Sequence, residues 1–171
     1  MLKSRVDECA PFENVYTLAL RGLHDRAMNA SNNMDDRKKM LQEALMAQRQ
    51  MLVDAIGKRA EDIPQAFTPY KEVLDVYDQG LELPDDVTII WPDDNYGYMK
   101  RLSSPKEQKR SGRSGVYYHS SYLGKPHDHL WMNTTSPTLM YEELRKAYDL
   151  TADRIWPVSY THLTLPTNSR V

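Results

Sequence analysis

The sequence is short of cysteine, of long apolar runs and of charge of one sign. Its single cysteine, Cys9, cannot close an intrachain disulfide, so the fold does not depend on an oxidising compartment. No window approaches the run of about 18 apolar residues that crosses a bilayer, and residues 1–9 lack the apolar segment of an export signal. No membrane partner is expected. The formal net charge of -2 gives no whole-chain reason to bind nucleic acid or an anionic surface. No glycine-rich phosphate loop precedes a helix, and no repeat of fixed period is visible. His127-Asp128-His129 would begin a metal site but has no third ligand at a recognisable spacing, so it reads as a solvated loop. Neither metal nor cofactor is expected. What remains is a 171-residue chain, 40% hydrophobic and 27% charged, with a globular composition and enough apolar content for one core.

Strand-like and helix-like segments alternate along it. Residues 14–20 are β-prone and run into Arg21-Gly22-Leu23-His24-Asp25, a polar cluster at a turn. A helix is predicted over 35–56: a polar break precedes it, acids fill its first turn, Leu41, Leu45, Leu52 and Ile56 share one face, and Gly57 stops it. Residues 65–70 are a short extended piece before a second helix over 71–79. The run from Thr88 to Trp91 is a buried strand, because Ile89 and Ile90 are β-branched without helical period and Pro92 cannot donate to a ladder. It ends on Asp93-Asp94-Asn95-Tyr96-Gly97-Tyr98, and two adjacent acids at a strand end are costly unless something engages them. Residues 99–115 read as a basic surface loop, suited to solvent or to an acidic polysaccharide; without interleaved aromatics they do not resemble a nucleic-acid site. Another strand covers 116–122. Ser136-Pro137 opens a third helix with Met140, Leu144 and Ala147 facing inward and Glu142 paired to Lys146. Residues 154–158 begin a last strand.

This alternation argues for an α/β class with parallel strands and crossover helices. Polar clusters follow the strands at 21–25, 93–98 and 118–122, as in a (β/α) barrel or an open doubly wound sheet. A full barrel needs about 250 residues, so the expectation is a partial (β/α)8 TIM barrel of about three to four βα units.

Six strings sharpen this: Pro11-Phe12-Glu13-Asn14-Val15-Tyr16-Thr17, Arg21-Gly22-Leu23-His24-Asp25, Pro69-Tyr70-Lys71-Glu72-Val73, Trp91-Pro92-Asp93-Asp94-Asn95-Tyr96-Gly97-Tyr98, Gly115-Val116-Tyr117-Tyr118-His119 and Arg154-Ile155-Trp156. In order and approximate spacing they resemble glycoside hydrolase family 115, over about residues 11–158. That family comprises inverting α-glucuronidases that remove glucuronic acid, often 4-O-methylated, from glucuronoxylan. The resemblance implies that residues 1–158 are a fragment of the family's catalytic barrel, inactive alone, from a longer secreted or periplasmic parent; it leaves room for a homodimer of that parent. Residues 159–171 depart from the family pattern and resemble translated sequencing-adapter read-through, so they are expected to be a non-native tail, the alternative being a genuine edge strand given their Thr and Leu content. The other reading of the chain is a non-catalytic carbohydrate-binding or structural fragment.

Inverting hydrolysis needs one protonated carboxylic acid and one carboxylate about 6.5–9.5 Å apart. Asp93 and Asp94 are the catalytic candidates, with Asp93 expected to face the sugar; as neighbours at a strand end their side chains diverge, so the second carboxylate is expected elsewhere. A uronate carboxylate favours Arg21, Lys71 and Arg101 as recognition groups. Tyr96, Tyr98, Tyr118 and Trp131 offer stacking faces, and His24, Asn95 and His119 offer hydrogen bonds to hydroxyls. A strand Tyr or Trp is more often core than site, and His119 fits either reading equally.

Overall fold

In the computed structural model, residues 2–22, 27–28, 33–122 and 133–159 are described. The elements run α1 (Leu2–Cys9), β1 (Tyr16–Leu18), α2 (Met34–Ile56), β2 (Gln65–Phe67), α3 (Glu72–Asp78), β3 (Thr88–Pro92), β4 (Ser114–His119), α4 (Pro137–Asp149) and β5 (Val158–Ser159). The strand order is β1-β2-β3-β4-β5. Pairing is parallel in β1–β2, β2–β3 and β4–β5; the amides of Ile89 and Asp93 donate to Arg113 O and Tyr117 O, both partners advancing by the same step, so β3–β4 is parallel as well. The fold is α/β. Helices α2, α3 and α4 follow β1, β2 and β4, whereas β3 reaches β4 without an α-helix, through a segment whose one regular piece is the 3-10 turn Glu107–Lys109.

Two compact units divide the chain, residues 1–90 with 109–113, and 91–108 with 114–171. In the first, α2 forms where the sequence places it. The Asn33 side chain accepts from the Asp35 amide, Asp35 and Asp36 sit in the first turn, and Gly57 closes the helix at φ 71° with its N–H on Val53 O. Leu41, Leu45 and Leu52 point into a core shared with Leu18, Phe67, Val73, Val76 and Val87. Strand β2 is buried at all three residues, as expected of a parallel strand covered on both faces. That burial includes Gln65, whose amide is fully used: Nε2 donates to Ala60 O and Ile63 O, and Oε1 accepts from Arg49, which also holds Asp86. Gln48 of α2 bonds both the N–H and the C=O of Ala19, satisfying the backbone just beyond β1.

In the second unit a smaller core of Val116, Tyr118 and Ala147 is packed by Met99, Leu102, Met140, Leu144 and Ala152. The three inward positions expected for α4 all pack into this core, Ala147 buried and Met140 and Leu144 partly so, and Lys146 pairs with Glu142 at 2.8 Å as predicted. Trp91 is fully enclosed, its indole N–H on Ser103 Oγ.

Two expectations are corrected. Helix α1 was not foreseen; it is eight residues long and its exposed face is laced by Arg5–Glu8. The segment 99–115 is not a solvated basic loop throughout. Arg110 donates to Leu83 O, Pro84 O and Val87 O and reaches Asp85, while Arg101 lies 4.4 Å over Trp91 and bonds Glu107. Their planar forks serve carbonyls and a ring, not solvent. No described helix is long and apolar enough to cross a membrane. Because an ammonium cannot span three carbonyls as the guanidinium does, Arg110→Lys should lower stability by about 1–3 kcal/mol; urea unfolding of the two proteins checks this, and equal midpoints would remove Arg110 as a structural clasp.

Candidate active site

The candidate site in the second unit begins at the end of β3, at Pro92. The Asp93 amide still reaches Tyr117 O at 3.1 Å, so Asp93 lies beside the end of β4. His119 closes that strand, and the two side chains meet across 26 positions of sequence: His119 Nδ1 is 2.6 Å from Asp93 Oδ1, and the His119 N–H donates to Oδ2 at 2.8 Å. Oδ1 also accepts the Asn95 N–H at 3.0 Å. Both residues are 2% exposed. A buried carboxylate needs such partners, and because it accepts on both oxygens, the hydrogen-bond pattern assigns the Nδ1 proton to His119. No described residue bonds Nε2. The imidazole lies between Tyr117, 4.7 Å away by centroid, and the edge of Tyr122, at 5.3 Å. Behind it, Thr135 Oγ1 donates to His119 O.

The chain then folds back on itself. Asp93 bridges antiparallel to Met99, the Asp94 N–H donates to Tyr98 O, and Asp94 Oδ1 accepts from the amides of Tyr96 and Tyr98 at 2.8 and 3.1 Å. Asn95 and Gly97 take positive φ, 73° and 92°, and Asn is among the side chains that tolerate this. At Gly97 glycine is required twice, since an added Cβ would lie 2.6 Å from Thr135 Cγ2 and 2.8 Å from the Tyr118 hydroxyl. The turn leaves the rings of Tyr96 and Tyr98 exposed, by 43% and 55%.

Two side chains brace the turn. Tyr118, expected as a stacking face, is fully enclosed and donates its hydroxyl to Gly97 O at 3.0 Å. Its phenol is pushed up to about 12, by burial first and then by Asp93, Glu143, Asp94 and Tyr98. Glu143 of α4, buried, accepts the Met99 N–H at 2.9 Å and is neutralised by Lys146 at 3.0 Å. This role is not legible from sequence, because it arises from a contact across 44 positions.

The remaining candidates divide as follows. Asp93 does not face open space, since its side chain is fully enclosed and both oxygens are engaged. Asp94 and Asn95 are half-buried in the turn. Arg101 is committed to Trp91 and Glu107. In the first unit, Arg21 and Lys71 both lie over the Tyr70 ring, at 5.4 and 5.0 Å, and Arg21 pairs with Glu72, which also accepts the Met28 N–H. Glu72, a carboxylate just beyond β2, was passed over in the sequence; its placement directly after a strand-end lysine was the available signal. Lys71 takes φ 52°, an uncommon conformation for lysine. His24, Trp131 and residues 127–129 lie outside the described residues, as does the tail from 160. No group of three or more metal-ligating side chains occurs among the described residues.

In each unit the parallel strands of this α/β fold thus end on polar and aromatic side chains, cation–aromatic groups in the first and a buried Asp–His pair beside exposed tyrosines in the second. The chain belongs to Glycosyl hydrolase family 115, whose description matches residues 1–163. Among solved structures it is similar to BtGH115A, a family GH115 4-O-methyl-α-glucuronidase with specificity for decorated arabinogalactans: 44% identity, TM-score 0.87, covering 92% of this chain and 21% of that one. The chain thus spans about a fifth of that relative. No curated protein matches.

Gly97→Ala should destabilise the second unit by at least about 1–2 kcal/mol through its left-handed backbone alone; thermal unfolding measures it, and an unchanged midpoint would contradict the close packing. The raised Tyr118 phenol gives a further test. The folded state holds that proton more tightly than the unfolded chain, so its contribution is whole below about pH 10 and is lost as pH rises towards about 12. Tyr118→Phe should cost about 0.5–1.5 kcal/mol at neutral pH and should flatten the alkaline fall, read as urea midpoints across that window.

Proposed function

We propose that this chain is a section of a (β/α)8 barrel and carries one wall of the glucuronate site of an inverting α-glucuronidase, which removes (4-O-methyl)glucuronic acid side chains from glucuronoxylan. The observation that carries the reading is the buried Asp93–His119 pair at the ends of two neighbouring parallel strands, beside a turn that exposes Tyr96 and Tyr98. The sequential strand order, with helices after three of the strands, supports a barrel section. The specificity of BtGH115A for decorated arabinogalactans supports a glucuronylated polysaccharide and makes decorated arabinogalactan the alternative substrate to test.

Each group is assigned a role that suits its chemistry. Asp93 holds His119 in one tautomer and orientation, as carboxylates beside catalytic imidazoles do. His119 Nε2 and the Asn95 amide hydrogen-bond sugar hydroxyls. Asp94 keeps Oδ1 in the turn, and its second oxygen is the carboxylate function on this wall. Tyr96 and Tyr98 stack on pyranose faces. Arg21 and Lys71 are the recognition groups for the uronate carboxylate, and His24 and Trp131 complete the set. The partner carboxylate of the inverting pair comes from another strand end, so this section alone is expected not to turn over substrate.

One observation favours a second reading, in which the acids only position sugar: every oxygen of Asp93 already accepts a hydrogen bond. Kinetics of a longer protein containing this section separate the two. Under the catalytic reading, Asp94→Asn and Asp93→Asn should each lower kcat for release of 4-O-methylglucuronic acid by about 10²–10⁴-fold, the second through loss of the histidine's orientation. Wild-type turnover by both variants would sink the proposed roles; loss of affinity with kcat retained would favour the positioning reading. Inversion is read by proton NMR of the first-formed anomer.

A further inference from the structure

Helix α4 carries a feature that its core contacts do not explain. Its inward face is Met140, Glu143, Leu144 and Ala147. At the helical period, Tyr141, Arg145 and Tyr148 fall together on another side, roughly 120° round the helix from the inward face, spaced four and three residues apart. Both rings are open, Tyr141 at 72% and Tyr148 at 62% exposure. Aromatic rings are normally drawn inward, and a pair aligned along one helix face is a surface in its own right. Between them, Arg145 is fixed by Asp149 through an Nε–Oδ2 contact of 3.1 Å. Asp149 foremost, with Tyr141 and Tyr148 adding, favours the charged guanidinium, consistent with all three side chains sharing the face.

Charge and area select the occupant. Arg145 is matched by Asp149, and Lys146 by Glu142 and Glu143, so the face presents rings and hydroxyls with its charges compensated within the helix. Such a surface has little to attract an anion, a nucleic acid or an acidic membrane. Two tyrosines also expose at most about 300–500 Å², short of the roughly 800 Å² per partner that a stable protein interface buries. The rings are seven residues apart, about 10 Å along the axis, and present a row of flat faces.

We propose that Tyr141 and Tyr148, with Arg145 between them, form a surface binding site for the neutral main chain of a polysaccharide, separate from the strand-end site. Pyranose rings of an extended sugar chain would stack on the two phenols while the guanidinium bonds ring hydroxyls. The choice of a polysaccharide rests on the glycoside hydrolase reading; the alignment of the rings does not.

The test is native affinity electrophoresis of the 171-residue chain in gels containing glucuronoxylan, and the same polysaccharide stripped of uronic acid. Tyr141→Ala/Tyr148→Ala, at exposed positions, is compared with the parent and with Asp94→Asn; far-UV circular dichroism checks folding. Retardation by both polysaccharides that survives Asp94→Asn and falls at least about tenfold in apparent affinity in the tyrosine variant is expected. Retardation that needs uronic acid, that persists in the tyrosine variant, or that is absent from the parent overturns the surface site. Loss in Asp94→Asn alone would do so while supporting the strand-end reading. Concentration-dependent self-association abolished by the tyrosine changes would assign the face to a second copy and overturn the proposal as well.

Discussion

The second unit depends on one buried hydrogen bond, between Asp93 Oδ1 and His119 Nδ1 at 2.6 Å. Neither side chain is tolerable alone at that depth. An unpaired buried carboxylate is expensive, and a buried imidazole with an orphaned N–H costs about 1–3 kcal/mol. They meet because β3 and β4 run parallel and side by side, which sets the end of one strand against the end of the other. Strand β3 ends at Pro92, and one further bond to β4, from the Asp93 N–H to Tyr117 O, sets Asp93 beside that strand before the backbone turns. The rest of the turn follows from that anchor: Gly97 packs under the Tyr118 hydroxyl, and Glu143 catches the returning strand at Met99.

Local features of this arrangement were legible in the sequence, and non-local ones were not. Asn33, Asp35, Asp36 and Gly57 mark the two ends of α2 because capping is decided within a few residues. The stop at Pro92 is equally local. By contrast, His119 fitted core and site equally until its partner was known, and that partner lies 26 residues away. Arg101 and Arg110 were misread for a related reason. Among serines and glycines an arginine looks solvated, yet both reach groups distant in sequence, an indole in one case and three carbonyls in the other. Tyr118 illustrates how a position that suits either role is resolved by its hydroxyl's partner, Gly97 O.

The first unit handles polar groups by the same rule. Gln65 sits in a strand buried at every residue, and its amide is accommodated because Arg49 and two carbonyls are placed to receive it. Arg49 in turn is balanced by Asp86 at 2.7 Å. Just past that strand the rule changes. Lys71 holds an uncommon backbone conformation beside Tyr70 and Arg21, and Glu72 shares its carboxylate between Arg21 and the Met28 amide. Charge and ring density therefore rise at the strand's C-terminal end, the position at which open parallel sheets and barrels present ligand sites.

Two adjacent acids after a strand suggested a ligand because such acids are costly unless engaged. The structure shows that much of that cost is met internally: Asp93 accepts from two amides and an imidazole, and Asp94 from two further amides. The acids are therefore weak evidence for a sugar taken by themselves. The stronger evidence is what the same hydrogen bonds accomplish, since they hold two tyrosine rings outward on a turn braced from beneath by Tyr118 and Glu143. Exposed rings give up burial that a core position would have provided. A turn stiffened to keep them exposed, at the end of a parallel strand, is the support that the proposed stacking on a pyranose ring would use, since such a ring is flat and partly apolar.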